Sequence, residues 1–131
     1  MRPIYNLAGL LVPAILLWSC DAYSTWEKRV SNQSTHTVIL YTTDGSGGFT
    51  FTDSLIIDPG AEEVIYSFGD ELNDANAECE QYISRLSLVA DPGFTVIKEI
   101  TEASNWVSGS DEIDGGFEHT CTFTLTDADI Q

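Results

Sequence analysis

The chain has 131 residues, 43% of them hydrophobic, with 3 Trp, 5 Tyr and 6 Phe. That is room for one domain with an ordinary core, and too much apolar content for a disordered chain. Against 21 acidic residues stand 5 basic ones. This balance excludes a nucleic-acid binder, which needs clustered Lys and Arg to displace counterions. It argues equally against electrostatic attraction to anionic lipid.

Charge is unevenly placed. Only Arg2 is charged in the first 20 residues, so residues 20–131 carry a formal net of −17. The plain reading is a solvated surface that keeps an exported protein soluble. The sharper one is adaptation to salt, or binding of cations.

Residues 1–19 begin with Met1 and Arg2 and continue into an apolar run of 12 residues, Leu7 to Trp18, broken only by Gly9 and Pro13. A helix needs about 20 residues to span a bilayer, so the run fits a secretory signal peptide and not a permanent span. It ends in Leu17-Trp18-Ser19-Cys20, which resembles the lipobox of bacterial lipoproteins. The resemblance implies cleavage after residue 19 and lipidation of Cys20, with Leu17 and Ser19 in their usual places. Trp18 departs from the small or branched residue usual at its position. The alternative is an ordinary signal peptide cut after Ala22. Two or three acyl chains hold a protein stably where one does not, each buried methylene contributing about 0.8 kcal/mol. Asp21 leaves the sidedness open between leaflets, with the outer membrane or cell surface favoured over the inner membrane.

Three cysteines in an exported protein leave one over. With Cys20 lipidated, Cys79 and Cys121 remain as a pair, and a disulfide is expected outside the cytoplasm. Closing that loop of 43 residues stabilises by about 4 kcal/mol in the chain-entropy model. The cysteine and histidine spacings do not resemble a zinc site.

Beyond the lipidated cysteine, residues 20–28 show no period and read as a tether, with the domain proper at 29–131. Val38–Thr43 is rich in β-branched and aromatic residues, as strands are. Asp44–Gly48 breaks it like a hairpin loop. Phe49, Phe51, Leu55 and Ile57 share one phase of the next run. Asp58-Pro59-Gly60 and Asp91-Pro92-Gly93 are turn tripeptides, proline presetting φ and glycine taking the positive φ. Each lies between β-rich runs, Glu63–Phe68 following the first, with Tyr82–Val89 and Phe94–Ile100 around the second, so both are expected to make hairpins. In the stretch Gly69–Glu80, Leu72, Ala75 and Cys79 have helical spacing. The last run is the clearest: Phe117, His119, Cys121, Phe123 and Leu125 on one face, Glu118 and four threonines on the other. About seven strands without a sustained helix predict a single all-β domain, an antiparallel β-sandwich of immunoglobulin-like or related topology, with a small closed barrel as the alternative.

Chemistry is sparse. Ser46 lies among glycines but lacks the surroundings of a nucleophile elbow. His119 shares its face with Phe117 and Cys121, the setting of a buried, hydrogen-bonded histidine. Asn32-Gln33-Ser34 matches a glycosylation sequon and, in a bacterial protein, makes a side-chain turn instead. Weak calcium candidates are two acid-rich segments, one with Asp70 and Asp74, the other with Asp111 and Asp114, which hold hard oxygen ligands without an EF-hand register. Trp106 and Tyr41 are candidate binding residues, although Trp106 equally suits the plug of a sandwich end. No catalytic set and no cofactor are implied.

In layout the exported part resembles small lipoproteins of unknown function from Bacteroidota. The shared marks are Asn32 and Ser34 before the first long strand, Ile57, Pro59 and Gly60 in a turn, Asn105-Trp106, and an aromatic-threonine final strand. That family supplies no activity. The sequence therefore suggests a membrane-anchored, non-enzymatic binding or structural module of the cell envelope, with an envelope protein or glycan as its partner. A small envelope hydrolase, or a calcium-dependent adhesion module, is the alternative.

Overall fold

The computed structural model describes residues 23–43, 48–70, 79–113 and 116–131. Seven strands form two packed sheets, as the sequence predicts: β1 (Tyr23–Asn32), β2 (Val38–Thr42), β3 (Ser54–Ile57), β4 (Glu62–Asp70), β5 (Leu86–Ala90), β6 (Trp106–Ile113) and β7 (Gly116–Leu125). The larger sheet runs β4-β1-β7-β6 and the smaller β3-β2-β5. This is a related sandwich and not the immunoglobulin order, in which the first strand lies beside the second. Every ladder is antiparallel except β1 with β7, which run parallel from Tyr23↔Gly116 to Asn32↔Leu125.

Between the sheets lies one apolar core, with Val30, Ile65, Trp106, Phe123 and Leu125 meeting Val38, Leu40, Ile57 and Leu86. Alternation along β7 produces its share: Cys121, Phe123 and Leu125 are buried, and the threonines between them are only partly covered. Asn32 closes the end of this core. Its Oδ1 accepts from the Ser34 N–H and Oγ, and its Nδ2 donates to the His36 and Ile57 carbonyls. The sequon is thus a side-chain turn.

Three expectations need correction. The predicted tether at 23–28 is the first half of β1. Its inward positions are Ser24, Trp26 and Lys28, so the strand lacks the apolar alternation that marks one in sequence. The two Asp-Pro-Gly turns form as expected, the Ala61 and Phe94 N–H groups donating to the Asp58 and Asp91 carbonyls across glycines at φ +79° and +95°. They do not make hairpins: the first joins β3 to β4 in the other sheet, and the second opens the crossing from β5 to β6. Finally, Phe94–Ile100 is not a strand. Its pairing is confined to the chain's last residues, with one bridge from Val96 to Ile130 and backbone bonds joining Thr95 to Gln131 and Ile97 to Asp129, and the stretch passes between sheets.

Candidate functional site

The two sheets differ in length. Strands of the larger sheet have 10, 9, 8 and 10 residues, and those of the smaller have 5, 4 and 5. At about 3.3 Å per residue, the larger sheet projects well beyond the smaller. Its inner face therefore has a half packed on the smaller sheet and a half beyond it, the trough, where Ser24, Lys28, Cys121 and His119 are buried and Ser108 and Ser110 of β6 are exposed. Two rows across the trough are set by register. Tyr66, Lys28, Cys121 and Ser108 form one; Trp26, His119 and Ser110 form the next.

A short segment lies over the first row. The Cys79–Cys121 disulfide, with Cα atoms 5.7 Å apart, ties it down, as cysteine arithmetic predicts. Tyr82 packs its ring 5.5 Å from that of Tyr66 and sits at φ +69°. That left-handed conformation costs a non-glycine residue about 1 kcal/mol, and ring contact with Tyr66 and the Arg85 guanidinium holds it there. Beneath the segment is a cavity of about 20 Å³ lined by Trp26, Glu27, Lys28, Tyr66, Gln81, His119 and Cys121, a volume that holds about one water; the Glu27 carboxylate is bound to Arg29.

The polar groups around this cavity are unusual. Lys28 is 5% exposed, and its Nζ lies 5.6 Å from the centroid of the Tyr66 ring. No acidic partner faces it among the described residues. Burial pushes its pKa below the usual lysine range, and burial likewise pushes the Tyr66 phenol up, with the neighbouring Tyr82 adding to it. The Trp26 indole N–H and the Ser24 hydroxyl are buried without a hydrogen-bond partner. His119, 1% exposed, is hydrogen-bonded through Nδ1 to Ser110 Oγ at 2.7 Å, stacked near Phe117 and edge-on to Trp26. It is the buried, hydrogen-bonded histidine expected from sequence.

Other sequence candidates fall elsewhere. Trp106 is a core residue and not an exposed anchor: it packs 5.5 Å from Phe123 and donates its indole N–H to the Ile100 carbonyl. Tyr41, 40% exposed, lies on the outer face of the small sheet, on the same side as Ile39, which pairs with Ile56 and Val89. Asp111 lies in β6 and not in a loop, Asp70 closes β4, and Asp74 and Asp114 lie outside the described residues, as do Cys20 and Ser46. Among the described residues no three His, Cys, Asp or Glu converge as metal ligands. His36 Nδ1 is 3.8 Å from the Asp91 carboxylate and its ring lies against Phe94, on the far side of the core from the trough. Among the described residues no helix is long and apolar enough to cross a membrane.

Sequence reasoning missed the site because Trp26 and Lys28 sit in β1, whose inward positions show no apolar alternation. A signal was nonetheless present: Lys28 is one of only four bases in residues 20–131. Comparison with protein-family models, with curated proteins and with solved structures finds no match to this chain.

Proposed function

We propose that the protein is an envelope lipoprotein, anchored through Cys20, that works as a non-enzymatic binding module through the half of its larger sheet that lies beyond the smaller one. The observation that carries this reading is the trough itself: a sheet face beyond the core, exposed along β6, that carries aromatic rings and two buried donors without acceptors, the Trp26 indole N–H and the Ser24 hydroxyl. The lipobox residues and the loss of every charge but Arg2 before Asp21 support the anchor. β1 starts three residues after Cys20, so the anchored end of the trough lies within about 10 Å of the lipid. Its ligand is then met close to the bilayer.

A hydrolase is the weaker reading. Ser110 and His119 do form a hydrogen-bonded pair, but the imidazole is 1% exposed and packed against Trp26 and Phe117, out of reach of a substrate. Photocrosslinking in the producing bacterium tests the module. A photoreactive residue in place of Ser108, on the trough side of β6, is expected to give a discrete adduct with an envelope component. The same residue in place of Val107, 72% exposed on the opposite side, is expected to give none. Equal labelling from both positions, or none from either, contradicts the reading.

A further inference from the structure

We propose that the cavity beneath the Cys79–Arg85 segment is a carboxylate site, in which the Lys28 ammonium and the Trp26 indole N–H receive the anionic end of a ligand lying in the trough. The proposal rests on the binding-module reading above and names the ligand chemistry. Three observations meet at one place. Lys28 is buried with no described counter-charge. The Trp26 donor is buried with no acceptor. Both residues line the same cavity.

Water alone is a poor occupant. A single water satisfies the indole N–H but leaves the largely buried Lys28 without an opposite charge. The Tyr66 ring supplies a part of what is missing, since 5.6 Å is near the outer limit for a cation over an aromatic face. An anion supplies the rest, through charge-assisted hydrogen bonds. Size narrows the class. About 20 Å³ admits one oxygen and not a tetrahedral phosphate or sulfate. A carboxylate enters with one oxygen in the cavity and its remaining atoms outside it.

The other bases are not comparable. Arg29 is bound by Glu27 at 2.7 Å on the outer face. Lys98 donates to the Thr124 carbonyl. In a chain with a net of −17 after residue 20, anions are repelled at long range, so selection falls to short contacts in the cavity and affinity for a lone carboxylate is modest.

The test uses protein isolated from a bacterium expressing the full chain, titrated with sodium acetate at constant ionic strength and followed by the indole N–H resonance that Trp26→Phe removes. A saturable shift is expected, with half-saturation in the millimolar range. Lys28→Met, which keeps the bulk and folds, is expected to weaken it at least tenfold. Sodium chloride at the same concentrations is expected to give no saturable shift. Absence of a shift up to about 100 mM acetate, a hundred times a millimolar dissociation constant, overturns the site. So does a response unchanged in Lys28→Met, or one that chloride reproduces. Acetate titration does not depend on the crosslinking partner. Loss of the acetate response beside an intact adduct removes only the ligand class, and loss of the adduct removes the module.

Discussion

Single side chains in this protein divide into those that complete the core and those that weaken it. Phe123 is wholly buried against Trp106, with the Lys98 ammonium 5.1 Å from its ring centroid, and Phe123→Ala is expected to cost about 4 kcal/mol in urea unfolding. Asn32→Ala removes four hydrogen bonds at the core's end, to the His36 and Ile57 carbonyls and from the Ser34 N–H and hydroxyl, for a loss of about 3 kcal/mol. Lys28 acts the other way. Replacing a buried ion by an apolar residue of similar volume is commonly neutral or stabilising, so Lys28→Met is expected to raise stability by about 1–2 kcal/mol at neutral pH; a loss of that size would mean that Lys28 has a counter-charge after all. Its lowered pKa has a definite sign. The charge penalty is fully present below the folded pKa and relieved as pH rises from there toward the ordinary value of 10.5. Wild-type stability should therefore gain in the alkaline range relative to Lys28→Met. Asp127 has the opposite effect: the Thr35 N–H and hydroxyl donate to its carboxylate and hold its pKa below the ordinary 3.8. Its contribution is present above pH 3.8 and lost as pH falls through the folded value, and carboxyl titration by NMR in wild type and Thr35→Ala measures it.

At the scale of elements, the disulfide and the turns set the trough. Reducing Cys79–Cys121, or Cys79→Ser, is expected to cost about 4 kcal/mol and to release the segment that carries Gln81 and Tyr82, so acetate binding should weaken along with stability. Gly60→Ala and Gly93→Ala meet no atoms within 4 Å, so each should cost only the left-handed backbone, about 1–2 kcal/mol. Which elements the sequence made legible follows from what faces inward. In β7 the inward row includes Cys121, Phe123 and Leu125, and period two is plain. In β1 it is Ser24, Trp26, Lys28, Val30 and Asn32, and in β6 Trp106, Ser108, Ser110 and Glu112, the last three exposed; polar residues on an inner face erase the pattern. What hid these strands is the feature that makes their half beyond the core a site. Phe94–Ile100 errs in the opposite sense: its alternating Phe94, Val96 and Ile100 mimic a strand, yet Phe94 lies against His36 and Val96 reaches only Ile130. The disulfide, the two turns and the role of His119 were readable because each depends on a residue's own chemistry more than on its neighbours.

For the whole molecule, the unequal sheets combine two properties. Their overlap buries a core large enough for a stable domain, and their mismatch leaves a face with unpartnered donors inside an otherwise acidic surface. Anchorage at Cys20 would hold that face toward the bilayer, since β1 follows almost at once. The measurement that bears on this most directly is intact mass and membrane partitioning of the protein made in a bacterium, beside Cys20→Ser. The account expects a membrane-bound chain beginning at Cys20 and carrying acyl mass, with both lost in Cys20→Ser. A soluble wild-type chain beginning near Tyr23, without acyl mass, would contradict it.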